Sequence, residues 1–223
     1  MNILAIIPAR GNSKEFPRKN LALLDGRPLI WYTIMHANES KFINRVIVST
    51  EDDETKQIAM EFGAETPFTR PEELSDDNAT TEAVLKYAIE WLEENENYKP
   101  DVVVLLEATY PIRRKGLIDE AISKFLNECL DTVFVSAEDS EYHWKKKNGT
   151  FVRVIHEDYI PRQKREPLYL EGSVYVTKPE IIKQGRRVGK KIGTVEAGEG
   201  GMIDIHTEFD IWMAERILKE WKK

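Results

Sequence analysis

Four short, largely apolar runs, at residues 3–7, 46–50, 102–106 and 132–136, alternate along the chain with stretches of helical spacing. Runs of five such residues, bounded by turn residues, predict strands buried on both faces of a parallel sheet. Between them, apolar residues at Leu29, Ile30, Ile34, Met35 and Ala37 predict a helix over 27–38. Further helices are predicted over 53–62, closed by Gly63, over a segment capped by Asn78 or Thr80 and running to Glu94, and over 116–130. Among the acids Glu51, Asp52 and Asp53, capping of the second helix is the favoured role over metal binding. A chain of 223 residues, 41% hydrophobic, has room for one such core, so the pattern predicts a single doubly wound α/β domain with a mostly parallel sheet. In that class, ligands bind at the carboxyl ends of the strands.

The first strand leads into the loop most suited to such a ligand. Gly11, Asn12 and Ser13 allow a tight turn whose backbone N–H groups can face one small space. Between Arg10 and Asn20 stand four cations, Arg10, Lys14, Arg18 and Lys19, against one acid, Glu15, in a chain of formal charge −7. Local positive charge on an acidic protein points to a small polyanion such as a nucleoside triphosphate; a solvated basic turn is the plainer alternative. The absence of a broad basic stripe speaks against nucleic acid as a partner. The loop is neither a P-loop nor a G-x-G-x-x-G dinucleotide turn. No apolar run approaches 18 residues and no signal-peptide pattern is present, so a cytoplasmic protein without a membrane span is expected. The single cysteine, Cys129, excludes an internal disulfide, and its place in the run 116–130 predicts a buried packing role.

After 136 the pattern changes. Residues 143–170 are polar and basic, with Lys145-Lys-Lys-Asn-Gly149 as a turn signal between short strands and Tyr159-Ile-Pro-Arg-Gln-Lys-Arg165 beyond it. This arm has too few apolar residues to fold by itself. Neither His143 nor His156 within it, nor His36, has the spacing of a metal site or triad. Strand character returns at 170–177, a short helix is expected at 179–184, and a Gly-rich turn leads to the segment 202–210. Thr207 and Asp210 have the spacing of a capping box for a last helix with Ile211, Ala214, Ile217 and Leu218 on one side.

Pro8-Ala9-Arg10, Asn12-Ser13-Lys14, Pro17 and Lys19-Asn20 together resemble the opening motif of the acylneuraminate (nonulosonic acid) cytidylyltransferases, enzymes that activate acidic sugars with CTP. The resemblance implies a Rossmann-like nucleotide-diphospho-sugar transferase fold, with residues 1–223 as one catalytic domain and 143–170 as an inserted arm that makes a homodimer. It implies binding of CTP by Ala9, Arg10, Gly11, Asn12, Ser13, Lys19 and Asn20, with Arg70, Ala79 and Thr81 reading the base. For the 2-keto nonulosonic acid it implies Glu107, Tyr110, Gly172, Ser173 and Tyr175, together with Arg162, Gln163 and Arg165 lent by the arm across the dimer. Arg10, Lys19 and Asp204 would be catalytic. Magnesium, or manganese, would bind at Asp204, where the family has Asp-Ile-Asp-Thr and this chain has Asp204-Ile-His-Thr207.

Four departures accompany the resemblance, one of them Tyr110, where the family has a small residue. Glu15 stands where a glycine is usual, and would point outward or contact the metal; Glu107 stands for a glutamine that faces the sugar. An acid at 107 would repel a sugar carboxylate and accept bonds from amino or hydroxyl groups. His206 replaces the second acid, leaving three readings open: a general base, a ligand for Mn2+, or an ordinary residue before the last helix. Other classes consistent with the sequence are a nucleotidyltransferase of different base or sugar specificity and a non-catalytic nucleotide-binding dimer.

Overall fold

The computed structural model describes residues 1–11, 13, 16–154 and 159–221. Asn12, Lys14, Glu15 and His156 therefore lie outside the described residues. Strand β1 (Ile3–Pro8) is followed by the short pair β2 (Leu23–Leu24) and β3 (Arg27–Pro28), then α1 (Leu29–Asn38), β4 (Arg45–Ser49) and α2 (Asp53–Glu61). Next come α3 (Thr81–Glu96), β5 (Val102–Leu106), α4 (Leu117–Asn127) and β6 (Thr132–Asp139). The hairpin β7 (Trp144–Lys147) and β8 (Thr150–Arg153) precedes β9 (Leu168–Thr177), α5 (Pro179–Lys183), β10 (Ile192–Glu196) and α6 (Glu208–Glu220).

Six strands form one sheet in the order β10-β6-β9-β5-β1-β4. β1 pairs in parallel with β4 and β5, and β10 with β6, while β9 runs antiparallel to both β5 and β6. The sheet is thus mostly parallel, as the alternating pattern predicts. The neighbouring strands β1 and β5 are apolar throughout because both of their faces are covered. Ile3, Ala5 and Ile7 of β1 join α1 and α4 in one core, and Leu4 and Ile6 join Leu85, Ile89 and Leu92 of α3 in the other. A third, smaller core around Leu24, Leu29, Tyr32, Ile205 and Ala214 fastens α6 over the start of α1.

The local signals act as their chemistry suggests. Asp52 caps α2 through Thr55 N–H, Thr80 caps α3 through Ala83 N–H, and Thr207 with Asp210 forms the full capping box of α6. One expectation is corrected. Cys129 is exposed, because α4 ends at Asn127. Cys129 takes φ 50°, and Leu130 N–H bonds back to Phe125 carbonyl, a left-handed helix stop that turns its side chain to solvent. A second difference is β10, a strand for which the sequence carries no apolar run. It is an edge strand whose Ile192, Thr194 and Glu196 are exposed and whose Gly193 lies against Leu130.

The segment 143–170 contains the separate two-stranded sheet β7–β8. It leaves Trp144, Phe151, Tyr159 and Tyr169 more than half exposed. No helix among the described residues is long and apolar enough to cross a membrane.

Candidate active site

The carboxyl end of β1 opens into a cleft of about 290 Å³, whose lining includes Pro8, Arg10, Lys19, Asn20, Arg70, Ala79, Thr81 and Thr109. Six of the residues expected to hold a nucleotide therefore converge on one space. Asn20, 7% exposed, donates its side-chain amide to Arg10 carbonyl at 2.9 Å, which fixes the return of the loop. Lys19 Nζ donates to Ile205 carbonyl at 2.9 Å, joining the loop to the segment just before α6. Ala9 N–H bonds Ser49 carbonyl and Gly11 N–H bonds Glu51 Oε1, so the loop leans on the end of β4. Gly11 is required there: a Cβ would come within 2.6 Å of Asp52 Cβ. Ser13 is half-buried.

Arg70 is 4% exposed and approaches Glu51 Oε2 at 3.4 Å, while its Nε and Nη2 have no hydrogen-bond partner. Burial lowers its pKa, Glu51 opposes that shift, and Arg10 adds to it. A buried guanidinium with unspent donors beside a cleft is suited to an acceptor-rich ligand edge. Arg10 itself pairs with Asp77 at 2.8 Å, so it reaches a phosphate only by exchanging one anion for another. Asp76 Oδ1 accepts from Asn78 and Ala79 N–H groups at 2.8 Å, shaping the small-residue stretch at the cleft wall. Glu51 and Asp77, which hold the loop and its arginine, were not identified from sequence as part of the site; only the acids after the second strand hinted at Glu51.

A second cluster forms beyond the end of β5. The register of β6 against β9 shifts between Phe134 and Val135, and Ser173 in the resulting bulge adopts φ 64°. This turns Ser173 toward Glu107: Glu107 N–H donates to Ser173 carbonyl, and Ser173 N–H donates to Glu107 Oε2, both at 3.1 Å. Ser173 Oγ is buried without a hydrogen-bond partner. Gly172 must be glycine because a Cβ would lie 2.6 Å from the Tyr110 hydroxyl. Burial raises Glu107, the Ser173 bond and Arg187 pull it down, and Asp204 raises it again. Tyr110 is raised by burial, then by the charges of Asp204 and Glu107; Tyr175 is raised by burial and by Glu107. Glu107, Tyr110, Ser173 and Tyr175 thus share one environment with Asp204.

Arg113 and Arg187 also belong to this cluster. Arg113, 6% exposed, donates to Glu107 and Ser173 carbonyls at 2.8 and 3.1 Å. Arg187 reaches Glu107 Oε1 at 3.6 Å from the turn before β10, a turn in which the sequence carries no signal of a site. Arg162 and Arg165 instead bond Ser140, just before their own arm, and Gln163 lies in the single 3-10 turn between them. Within one chain the arm residues are not joined to the Glu107 cluster by any described contact.

Asp204 tests the fit of a divalent ion. Its Oδ2 meets His206 Nε2 at 2.8 Å, and its buried Oδ1 has no hydrogen-bond partner. No group of three or more His, Cys, Asp or Glu side chains among the described residues is placed to hold a metal. One oriented carboxylate fits a hard ion that takes its remaining ligands from water and phosphate, as Mg2+ does, and does not form an all-protein cage. A larger cavity of about 570 Å³, between Lys41, Arg113–Gly116 and Asp119, contains none of the residues expected from sequence to bind substrate.

Comparison with known proteins supports the resemblance. Residues 4–213 match the family model described as cytidylyltransferase. The pseudaminic acid cytidylyltransferase of Campylobacter jejuni is 41% identical over 138 residues, which is 62% of this chain and 59% of that protein. The match thus spans less than two thirds of that relative's length. The CMP-N,N'-diacetyllegionaminic acid synthase of Legionella pneumophila is 30% identical over 228 residues, 98% of this chain and 97% of that one. Among solved structures, CMP:2-keto-3-deoxy-manno-octonic acid synthetase complexed with CTP superposes with a TM-score of 0.73 at 14% identity, covering all of both chains, which establishes a shared fold. With nearly its whole length matched by the family model and its opening motif leading into the cleft, this chain belongs to the cytidylyltransferase family.

Proposed function

We propose that this protein transfers the cytidylyl group of CTP to the anomeric hydroxyl of a 2-keto nonulosonic acid of the sialic, legionaminic or pseudaminic type. The sugar oxygen forms a bond to the α-phosphorus, the bond to the bridging oxygen of the β-phosphate breaks, the hydroxyl proton is lost, and pyrophosphate leaves. The observation that carries the reading is the convergence of Arg10, Lys19, Asn20, Arg70, Ala79 and Thr81 on one cleft at the end of β1. Family membership and the activities named for its relatives support it.

Little covalent chemistry is asked of the protein in such a displacement, so charge neutralisation and alignment carry the rate. Arg10, Gly11, Asn12 and Ser13 would hold the triphosphate, Lys19 would offset the charge that grows on the α-phosphate, and Asn20 would fix the loop. Arg70 has unspent buried donors for the cytosine edge, beside Ala79 and Thr81. Glu107, Tyr110, Ser173 and Tyr175 would face the sugar, with Gly172 leaving Tyr110 its space. Asp204, oriented by His206, would hold Mg2+ or Mn2+; when bound, such an ion neutralises phosphate charge and lowers the pKa of an attached hydroxyl.

The reading includes a homodimer through residues 143–170, in which Arg162, Gln163 and Arg165 serve the partner's sugar site. Its support is a hairpin that pairs only with itself and leaves large aromatic side chains exposed. The use of CTP fits a cytoplasmic enzyme. A pyrophosphate-release assay that crosses the four nucleoside triphosphates with sialic, legionaminic, pseudaminic and Kdo acids tests the whole reading. Release with CTP and a nonulosonic acid is expected; release with another base, with Kdo alone or with none of them overturns it.

A further inference from the structure

Three elements far apart in sequence meet at one arginine. Arg187 Nε donates to Glu82 Oε1, in the first turn of α3, at 2.6 Å, whereas its Nη1 stands 3.6 Å from Glu107 Oε1 at the end of β5. Its backbone is pinned as well: Arg187 carbonyl accepts from Thr177 Oγ1 at 2.8 Å and Thr132 Oγ1 at 3.3 Å, on two strands of the sheet. The guanidinium carbon lies 5.1 Å from the centre of the Tyr175 ring. The inequality of the two contacts matters. Glu82 holds the guanidinium tightly and at a distance from Glu107, so Arg187 offsets the charge of Glu107 without consuming the lone pairs of Oε1. The other oxygen, Oε2, is already held by Ser173 N–H, and Arg113 fixes the backbone carbonyl of the same residue. A carboxylate with one oxygen anchored and the other unspent is a directed acceptor for N–H or O–H donors, and it repels another carboxylate.

We infer that Arg187, clamped by Glu82, is a positioning residue that presents Glu107 Oε1 as a hydrogen-bond acceptor and selects sugar acids carrying an acylamido or hydroxyl donor at that point. The sugar's own carboxylate is thereby turned away from Glu107. The inference rests on the proposed function, because it takes the Glu107 cluster to be the sugar site. Without Glu82, Arg187 is released to close onto Glu107 as a direct pair and block the acceptor. Without Arg187, Glu107 loses its main neutralising neighbour on that side.

Calorimetric binding separates this from the reaction itself. Wild type and the variants Arg187→Met, Arg187→Lys, Glu82→Gln and Glu107→Gln are titrated with a non-hydrolysable CTP analogue. They are then titrated, with that analogue bound, with N-acetylneuraminic, N,N'-diacetyllegionaminic and pseudaminic acids. Arg187→Met and Glu82→Gln should each weaken binding of the preferred acid by about tenfold, with the CTP analogue within about twofold of wild type. Arg187→Lys should recover part of the loss. In the Glu107→Gln background, Arg187→Met should change acid binding by less than about twofold, because the residue it acts through is gone. Equal weakening for nucleotide and acid, the same loss in the Glu107→Gln background, or no binding of any acid by wild type overturns the inference. Thermal melts identify a variant that fails to fold, and the remaining variants then decide. Acid binding with the expected coupling but no pyrophosphate release refutes the proposed reaction and leaves the role of Arg187 intact.

Discussion

Lys19 shows how one residue can join two parts of a site: it belongs to the loop after β1, yet its amine bonds Ile205 carbonyl beside Asp204. If it offsets charge on the α-phosphate, Lys19→Ala should lower kcat by about 10²-fold or more, since one lost transition-state donor costs roughly 3 kcal/mol. A folded variant with unchanged turnover removes the loop from the mechanism. At Asp204 the proposed ion has its carboxylate, and His206 orients it through a 2.8 Å contact. Asp204→Asn should abolish metal-dependent turnover, and His206→Ala should weaken Mg2+ activation by about tenfold or more through loss of that orientation. Mg2+ titrations of kcat check both, and normal activity in Asp204→Asn refutes the assignment. His36 offers a test on stability. Burial, aided by Arg113, lowers its pKa from 6.5 to about 4. The unfolded chain therefore takes up the proton first as pH falls. Stability on this account is full above about pH 6.5 and declines toward about pH 4, by at most on the order of 3 kcal/mol. Urea unfolding from pH 7 to 4 should show a shallower decline in His36→Gln; an identical slope contradicts the assignment.

At the scale of elements, the stop of α4 has a consequence for stability. Cys129 holds φ 50°, a region in which most residues with a Cβ are strained and for which glycine, or asparagine through its local side-chain hydrogen bonding, is better suited. Because the side chain is exposed, Cys129→Asn gives up little packing. It should raise stability by about 0.5–1 kcal/mol in denaturant melts; a loss of stability indicates that the thiol packs more than its exposure implies. The caps at Asp52, Thr80 and Thr207 were legible because they depend on the identity of one residue and a spacing of three. The end of α4 was not, since the apolar residues Leu126 and Leu130 continue the helical spacing past the point where the backbone turns. The same reasoning explains β10, whose pairing with β6 supplies what its alternating, half-exposed sequence does not announce.

For the whole molecule, the outstanding feature is the arm. Its hairpin is paired only within itself, and an isolated hairpin is marginal in water. Arg153 lies over the rings of Tyr142, Trp144 and Tyr159 at 4.5, 4.7 and 4.1 Å, giving the arm an aromatic and cationic face in place of an aliphatic core. On the proposed reading that face meets a second copy. Light scattering should give twice the chain mass, and Phe151→Asp, placed on a side chain 65% exposed, should shift the protein toward monomer and lower turnover together. A wild-type monomer with full activity refutes the dimer.

The sequence by itself determined the class of fold and the opening of the site. Unbroken apolar strands can be satisfied only with helices on both faces, and the loop after Ile7 carries its chemistry within some dozen residues. What the tertiary structure decided was every relation that depends on distant segments. Lys19 reaches Ile205, Arg70 faces Glu51, and Glu82, Glu107 and Arg187 meet only because the start of α3, the end of β5 and the turn before β10 lie at the same place on the sheet. Local spacing encodes capping and periodicity, which act over a few residues. An ion pair spanning 105 residues leaves no periodic mark in the chain and exists only once the sheet has brought its ends together.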